Sequence, residues 1–156
     1  MIGVLRRHEQ KGTEQALVNR LQELFTAQET RFCRYLAVLD KQQEAIEAGR
    51  GEDILCYVEL EEKIGAELLS IQKVVLPLEK LYHTAYAAEG NGITSLRSAL
   101  EARKNEVVLK SKRNRELLVN RMAALRSQIQ TIQASPLRRA PVYAIAGIPS
   151  VIDIRL

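Results

Sequence analysis

The chain has no tryptophan, and its five tyrosines and two phenylalanines make up only 4% of its 156 residues. A core of large aromatic side chains is therefore excluded, and Leu, Ile, Val and Ala must fill the interior, which suits packed helices. Only two cysteines occur, Cys33 and Cys56, and their separation fits neither a CxxC pair nor a zinc signature. They read as buried, reduced thiols. No stretch approaches the roughly 18 consecutive apolar residues of a membrane span, and Met1–Lys11 carries charges without a secretory apolar segment. The expected compartment is the cytoplasm.

Residues for chemistry are equally scarce. The two histidines, His8 and His83, have no Asp, Glu or Cys at ligand spacing. There is no Glu-x-x-His for a carboxylate-bridged metal pair. Gly90-Asn91-Gly92 lacks the Lys-Ser/Thr that completes a phosphate-cradling loop, and no nucleophile elbow occurs. The reading is no catalytic residue, no metal, no cofactor and no enzyme.

What is present is helical periodicity. Apolar residues reach 46% and charged residues 27%, a globular composition, and the length suits one domain. A first stripe recurs at Leu17, Leu21, Leu24, Phe32, Tyr35, Leu39 and Ile46, interrupted by Gln28 and Gln42. It predicts a helix from about Thr13, as N-cap after Gly12, to Ala48, with His8 in a basic lead-in and a stop at Gly49-Arg50-Gly51. A second stripe alternates steps of three and four through Ile54, Tyr57, Glu61, Ile64, Leu68, Ile71, Val75, Leu78, Tyr82 and Ala85. Glu52 and Asp53 suit its N-terminus. Val58, Leu60, Leu69, Val74 and Leu81 broaden this face and call for neighbours on more than one side. Pro77 either kinks the helix or ends it, and the unbroken phase favours the kink. A third stripe runs through Leu96, Leu100, Val107, Leu117 or Leu118, Leu125, Ile129 and Ile132, between Ile93-Thr94, a staple and cap, and Ser135-Pro136. Arg103, Lys110, Ser111 and Asn114 make its middle polar.

The expected fold is all-α: an elongated antiparallel bundle or coiled coil of three long helices over 1–135, each roughly 50–60 Å long. An irregular, apolar tail follows over 136–156. A homodimer is the alternative to a single closed bundle. The tail holds three of the four prolines and two short apolar runs; it folds back onto the bundle or binds a partner.

Charge is unevenly placed. Residues 49–89 are net acidic, whereas 94–135 hold nine Lys/Arg against three Glu. The two segments are expected to attract each other; nucleic acid or an acidic partner is the other use of the basic one. The run Lys110-Ser111-Lys112-Arg113-Asn114-Arg115 spreads charge around a helix and has no aromatic platform beside it, so no specific nucleic acid is expected. Glu61, on the second core line, needs a basic partner such as Arg103, Lys110 or Arg121, or a wet edge. Glu59 and Lys63 read as a solvated helix pair.

Three elements together resemble the flagellar export chaperones of the FlgN type, which serve the hook–filament junction proteins. The first is Gly49-Arg50-Gly51-Glu52-Asp53 followed by Tyr57, Leu60, Glu61, Lys63, Ile64 and Leu68. The second is Arg113-Asn114-Arg115-Glu116-Leu117-Leu118, and the third is the tail, with Tyr143, Gly147 and Ile152-Asp153-Ile154-Arg155-Leu156. The resemblance implies a small cytoplasmic all-helical protein. Its partners would be hook-associated flagellar proteins, held unassembled, and the flagellar export apparatus. It places client binding in the C-terminal region, with Leu117, Leu118, Leu125, Ile129, Ile132, Val142, Tyr143, Ile145, Ile152, Ile154 and Leu156 as the candidate contacts. The rival readings are a structural or adaptor coiled coil and a basic, all-helical nucleic-acid binder.

Overall fold

The computed structural model describes residues 2–86 and 92–135. Among them every regular element is an α-helix: α1 (Ile2–Ala48), α2 (Gly51–Ala85) and α3 (Ile93–Ala134). The fold is all-α with three long helices, as the stripes predict. The chain divides into two compact units, Met1–Leu118 and Val119–Leu156. Unit 1 holds α1, α2 and the first part of α3; the described part of unit 2 is the remainder of α3.

Helix α1 starts well before the expected Thr13. Thr13 is an interior residue whose Oγ1 donates to the Glu9 carbonyl at 2.9 Å, and His8 lies inside the helix. An exposed helical glycine costs only about 1 kcal/mol relative to alanine, so Gly12 does not stop a helix flanked by Arg, Glu, Gln and Lys. The other end follows expectation. Gly49 takes a left-handed φ of 71°. Its amide donates to the Ile46 carbonyl at 3.2 Å, and the Arg50 amide donates to the Ala45 carbonyl at 2.9 Å. This pair of bonds closes a helix C-terminus in a Schellman motif.

Helix α2 follows at once, with Glu52 and Asp53 in its first turn. It does not end at Pro77. The proline is exposed, as is Lys73, so water can serve the carbonyl that loses its partner. At the start of α3, Thr94 is not the cap. Ile93 is already helical and buried, and Gly92, again with φ of 71°, turns the chain. The Ser95 hydroxyl donates to the Gly92 carbonyl at 2.9 Å.

Cross-helix partners fix the directions within unit 1. Gln28 meets Gln72, Arg31 meets Glu67 and Tyr35 meets Glu61. The partner's number falls as the α1 number rises, so α1 and α2 are antiparallel. Lys110 meets Asp40 and Asn114 meets Gln42, so α3 runs parallel to α1. The larger core cluster joins Leu17, Val18, Leu21, Leu24 and Phe25 of α1 to Val75 and Tyr82 of α2 and to Ile93 and Leu100 of α3. A second cluster joins Leu36, Leu39 and Val107. Leu21 is completely buried, a contribution of roughly 1.5–3 kcal/mol from one side chain.

Two expectations about burial fail for one reason. Cys33 and Cys56 are exposed free thiols, not buried ones. The inward stripes pass through Phe32 and Tyr35, and through Ile54 and Tyr57, and each cysteine stands between those lines. The broadening residues of α2, Val58, Leu60, Leu69, Val74 and Leu81, also remain exposed; in unit 1 the core takes the central line alone. No described helix is long and apolar enough to cross a membrane.

Candidate protein-binding face

The polar residues on the core lines of unit 1 find one another. Gln28 Nε2 donates to Gln72 Oε1 at 2.7 Å. Asn114, buried in α3, donates through Nδ2 to the Leu39 carbonyl at 2.8 Å and to Gln42 Oε1 at 2.9 Å. A buried polar group without a partner would cost about 1–3 kcal/mol, so these pairs favour one axial register over its neighbours. Glu61 completes the layer, but not with the basic partners expected. Arg103 pairs with Glu106 and Lys110 with Asp40, and Arg121 belongs to unit 2. Glu61 Oε2 instead accepts from the Tyr35 hydroxyl at 3.3 Å, while Oε1 is buried with no hydrogen-bond partner among the described residues. Burial raises the Glu61 carboxyl above its ordinary 4.5, against the opposing pull of Tyr35, Gln42 and Arg115. The Tyr35 phenol is raised as well, by burial and then by the Glu61 charge.

The basic run of α3 is engaged within the unit only in part, and Lys112, Arg113 and Arg115 stay exposed. Lys110 reaches Asp40 at 2.7 Å, Arg115 acts on Glu61 and Asn114 is buried. The acidic α2 draws its partners mostly from α1, since Arg31 and Arg34 both reach Glu67 at 3.3 Å; Arg97–Glu79, at 3.6 Å, joins α3 to α2. Such partly exposed pairs are worth about 0–1 kcal/mol each and orient rather than stabilise.

Among the described residues two apolar surfaces are left uncovered. In unit 1 a groove of about 540 Å³ is lined by Phe25, Gln28 and Phe32 of α1, by α2 residues that include Gly65, Leu69, Gln72 and Leu76, and by Arg97, Leu100, Glu101 and Lys104 of α3. Sequence reasoning missed it, although Leu69 in the broadened α2 stripe pointed there. In unit 2 the helix exposes Met122 (44%), Leu125 (45%), Ile129 (53%) and Ile132 (52%). Their steps of three, four and three put all four on one helical face. The stripe reading named Leu125, Ile129 and Ile132 and missed Met122, which the same spacing includes. Val119 lies beside the row and is also exposed.

Of the other candidate contacts, Leu117 and Leu118 are half-buried at the end of unit 1. Val142, Tyr143, Ile145, Ile152, Ile154 and Leu156 lie outside the described residues. Among the described residues no group of three or more His, Cys, Asp or Glu side chains could hold a metal ion. The surfaces that remain can bury apolar area against another protein.

No family model and no solved structure matches the chain. A protein of Treponema pallidum (strain Nichols) is 34% identical to it over 120 residues, a match that covers 77% of each chain; that relative's name reads "Uncharacterized protein".

Proposed function

We propose a protein-binding function for this chain, which belongs to the same family as the Treponema pallidum protein. The reading is a cytoplasmic export chaperone. It holds hook-associated flagellar proteins unassembled and hands them to the flagellar type III export apparatus. The observation that carries it is the exposed row Met122, Leu125, Ile129 and Ile132, an apolar helical face that no other described residue of its unit covers. A client helix that would otherwise assemble early can lay its own apolar face along this row, the physics of helix-on-helix recognition.

Magnitudes limit what the row can do alone. Full burial of one Leu, Ile or Met is worth roughly 1.5–3 kcal/mol, and each of these four is already about half covered, so the gross gain is about 4 kcal/mol. Losing translational and rotational freedom costs about 4–15 kcal/mol. The row therefore selects where a client lies, and the tight part of the binding falls to the tail candidates Val142, Tyr143, Ile145, Ile152, Ile154 and Leu156. Weak elementary contacts suit a chaperone that must release its client.

The test is co-expression with the hook-associated proteins of its own cell, read by native mass spectrometry. A complex with one of them is expected. It should be lost in the Leu125→Asp/Ile129→Asp variant and in a chain ending at Ser135, with far-UV helicity retained in both. If no such complex forms, or if both altered chains bind as the parent does, the proposal fails.

A further inference from the structure

The exposed row of unit 2 has a charge pattern beside it that the apolar residues do not explain. With Met122 and Ile129 at heptad positions a, and Leu125 and Ile132 at d, the flanking g and e positions fall on Arg121, Arg126, Gln128 and Gln133. Both arginines are exposed, and no acidic residue occurs anywhere in Val119–Ala134. The flanks of a coiled-coil seam set partner choice and orientation, because they lie directly beside the partner's flanks.

A second copy of this chain is a poor occupant of such a row. In a parallel pair each g residue faces the e residue five positions later on the other helix, so Arg121 of one copy meets Arg126 of the other. In an antiparallel pair g faces g and e faces e, and overlap of the four apolar residues sets Arg126 of one copy beside Arg126 of the other. Both arrangements bring like charges together at the edge of a seam only about three turns long. Acidic residues at those positions turn the same contacts into attraction.

We infer that the row Met122, Leu125, Ile129 and Ile132 takes an amphipathic helix of a different protein, one whose apolar seam is flanked by Asp or Glu, and that Arg121 and Arg126 reject a second copy. This rests on the protein-binding reading above and adds the chemistry of the partner. The opposition of Arg121 and Arg126 is screened by salt, so the selection is strongest at low ionic strength.

Two helix-stapled peptides with the same apolar seam test it, one with Glu and one with Lys at the flanking positions, titrated against the full chain by fluorescence anisotropy. The Glu peptide should bind roughly tenfold tighter or more, since two contacts change from repulsive to attractive. High salt should shrink that ratio, and the R121E/R126E variant should invert it. Equal binding, preference for the Lys peptide, or a preference that survives R121E/R126E overturns the inference. So does sedimentation of the parent chain as an oligomer that Ile129→Asp dissociates. The chaperone reading is scored separately, by capture of hook-associated proteins. Capture without charge preference sinks this inference alone; charge preference without capture supports it and sinks only the chaperone assignment.

Discussion

Helix α3 carries one apolar stripe with two fates. In unit 1 the stripe residues Leu100, Val107 and Asn114 are buried against α1. In unit 2 its continuation, Met122 to Ile132, is exposed. The spacing is much the same in both, with one extra step of four where Asn114, Leu118 and Met122 follow one another. Such a stutter locally relaxes a heptad, and it falls where the two units meet in the sequence. The lesson is that periodicity names the face of a helix and does not say what covers it. A partner in the same chain makes a core, and a face without one is a candidate for recognition.

Truncating the same kind of side chain in the buried and the exposed part has the largest expected difference. Leu39→Ala removes a fully packed residue from the second cluster of unit 1 and should cost about 2–5 kcal/mol. Ile129→Ala removes one of similar size from the row and should change stability by less than about 0.5 kcal/mol. Urea unfolding followed by circular dichroism reads both. Equal losses would mean that the row is covered in solution, and the case for a binding face would collapse.

Asn114 gives a second, smaller contrast, because it is the polar residue on the buried half of the stripe. Asn114→Ala leaves Gln42 Oε1 without its donor and removes the second donor of the Leu39 carbonyl, and it should destabilise by about 1–3 kcal/mol. Asn120→Ala, on the exposed surface of unit 2, should be near neutral. If Asn114→Ala proves neutral in the same denaturation experiment, water satisfies the two acceptors and the polar layer does not fix the register.

Why some of this was legible and some was not follows from where each determinant lies. The α2 core line, Ile54 to Tyr82, repeats every three and four residues and survives Pro77 because the proline sits off that line. Gly49 announced its turn, since a left-handed residue is cheap only for glycine. The start of α1 departs from the sequence expectation because Gly12 and Thr13 resemble a cap locally, while several weak helix preferences upstream decide where the helix begins. For Glu61 a third-helix base is present as expected, but it is Arg115 rather than Arg103, Lys110 or Arg121. Its partners come from α1 and α3, Tyr35 and Gln42 on one and Arg115 on the other, and cross-helix register is not written in any one segment. The exposed row is visible as a stripe, but its exposure depends on there being no covering helix among the described residues. No local pattern records that.

Glu61 supplies the smallest effect and the most specific one. Its carboxyl titrates above its ordinary 4.5 in the folded chain, chiefly through burial. The folded state therefore holds this proton more tightly than the unfolded chain does. By linkage, the stabilising contribution is fully present below 4.5 and is lost as pH rises from 4.5 through the raised folded value. Glu61→Gln keeps the shape and can still accept from the Tyr35 hydroxyl, but it no longer buries a charge. The variant should match the parent at acid pH and be the more stable of the two at neutral pH. The pH dependence just above 4.5 should be flatter. A Lys110→Gln variant, which loses only the Asp40 pair at the unit surface, should leave that slope unchanged. Thermal melts of the three chains across that range decide the matter. If Glu61→Gln is less stable than the parent at neutral pH, the attraction of Arg115 outweighs burial, and Glu61 is a paired ion holding α2 to α3 rather than a tolerated buried acid.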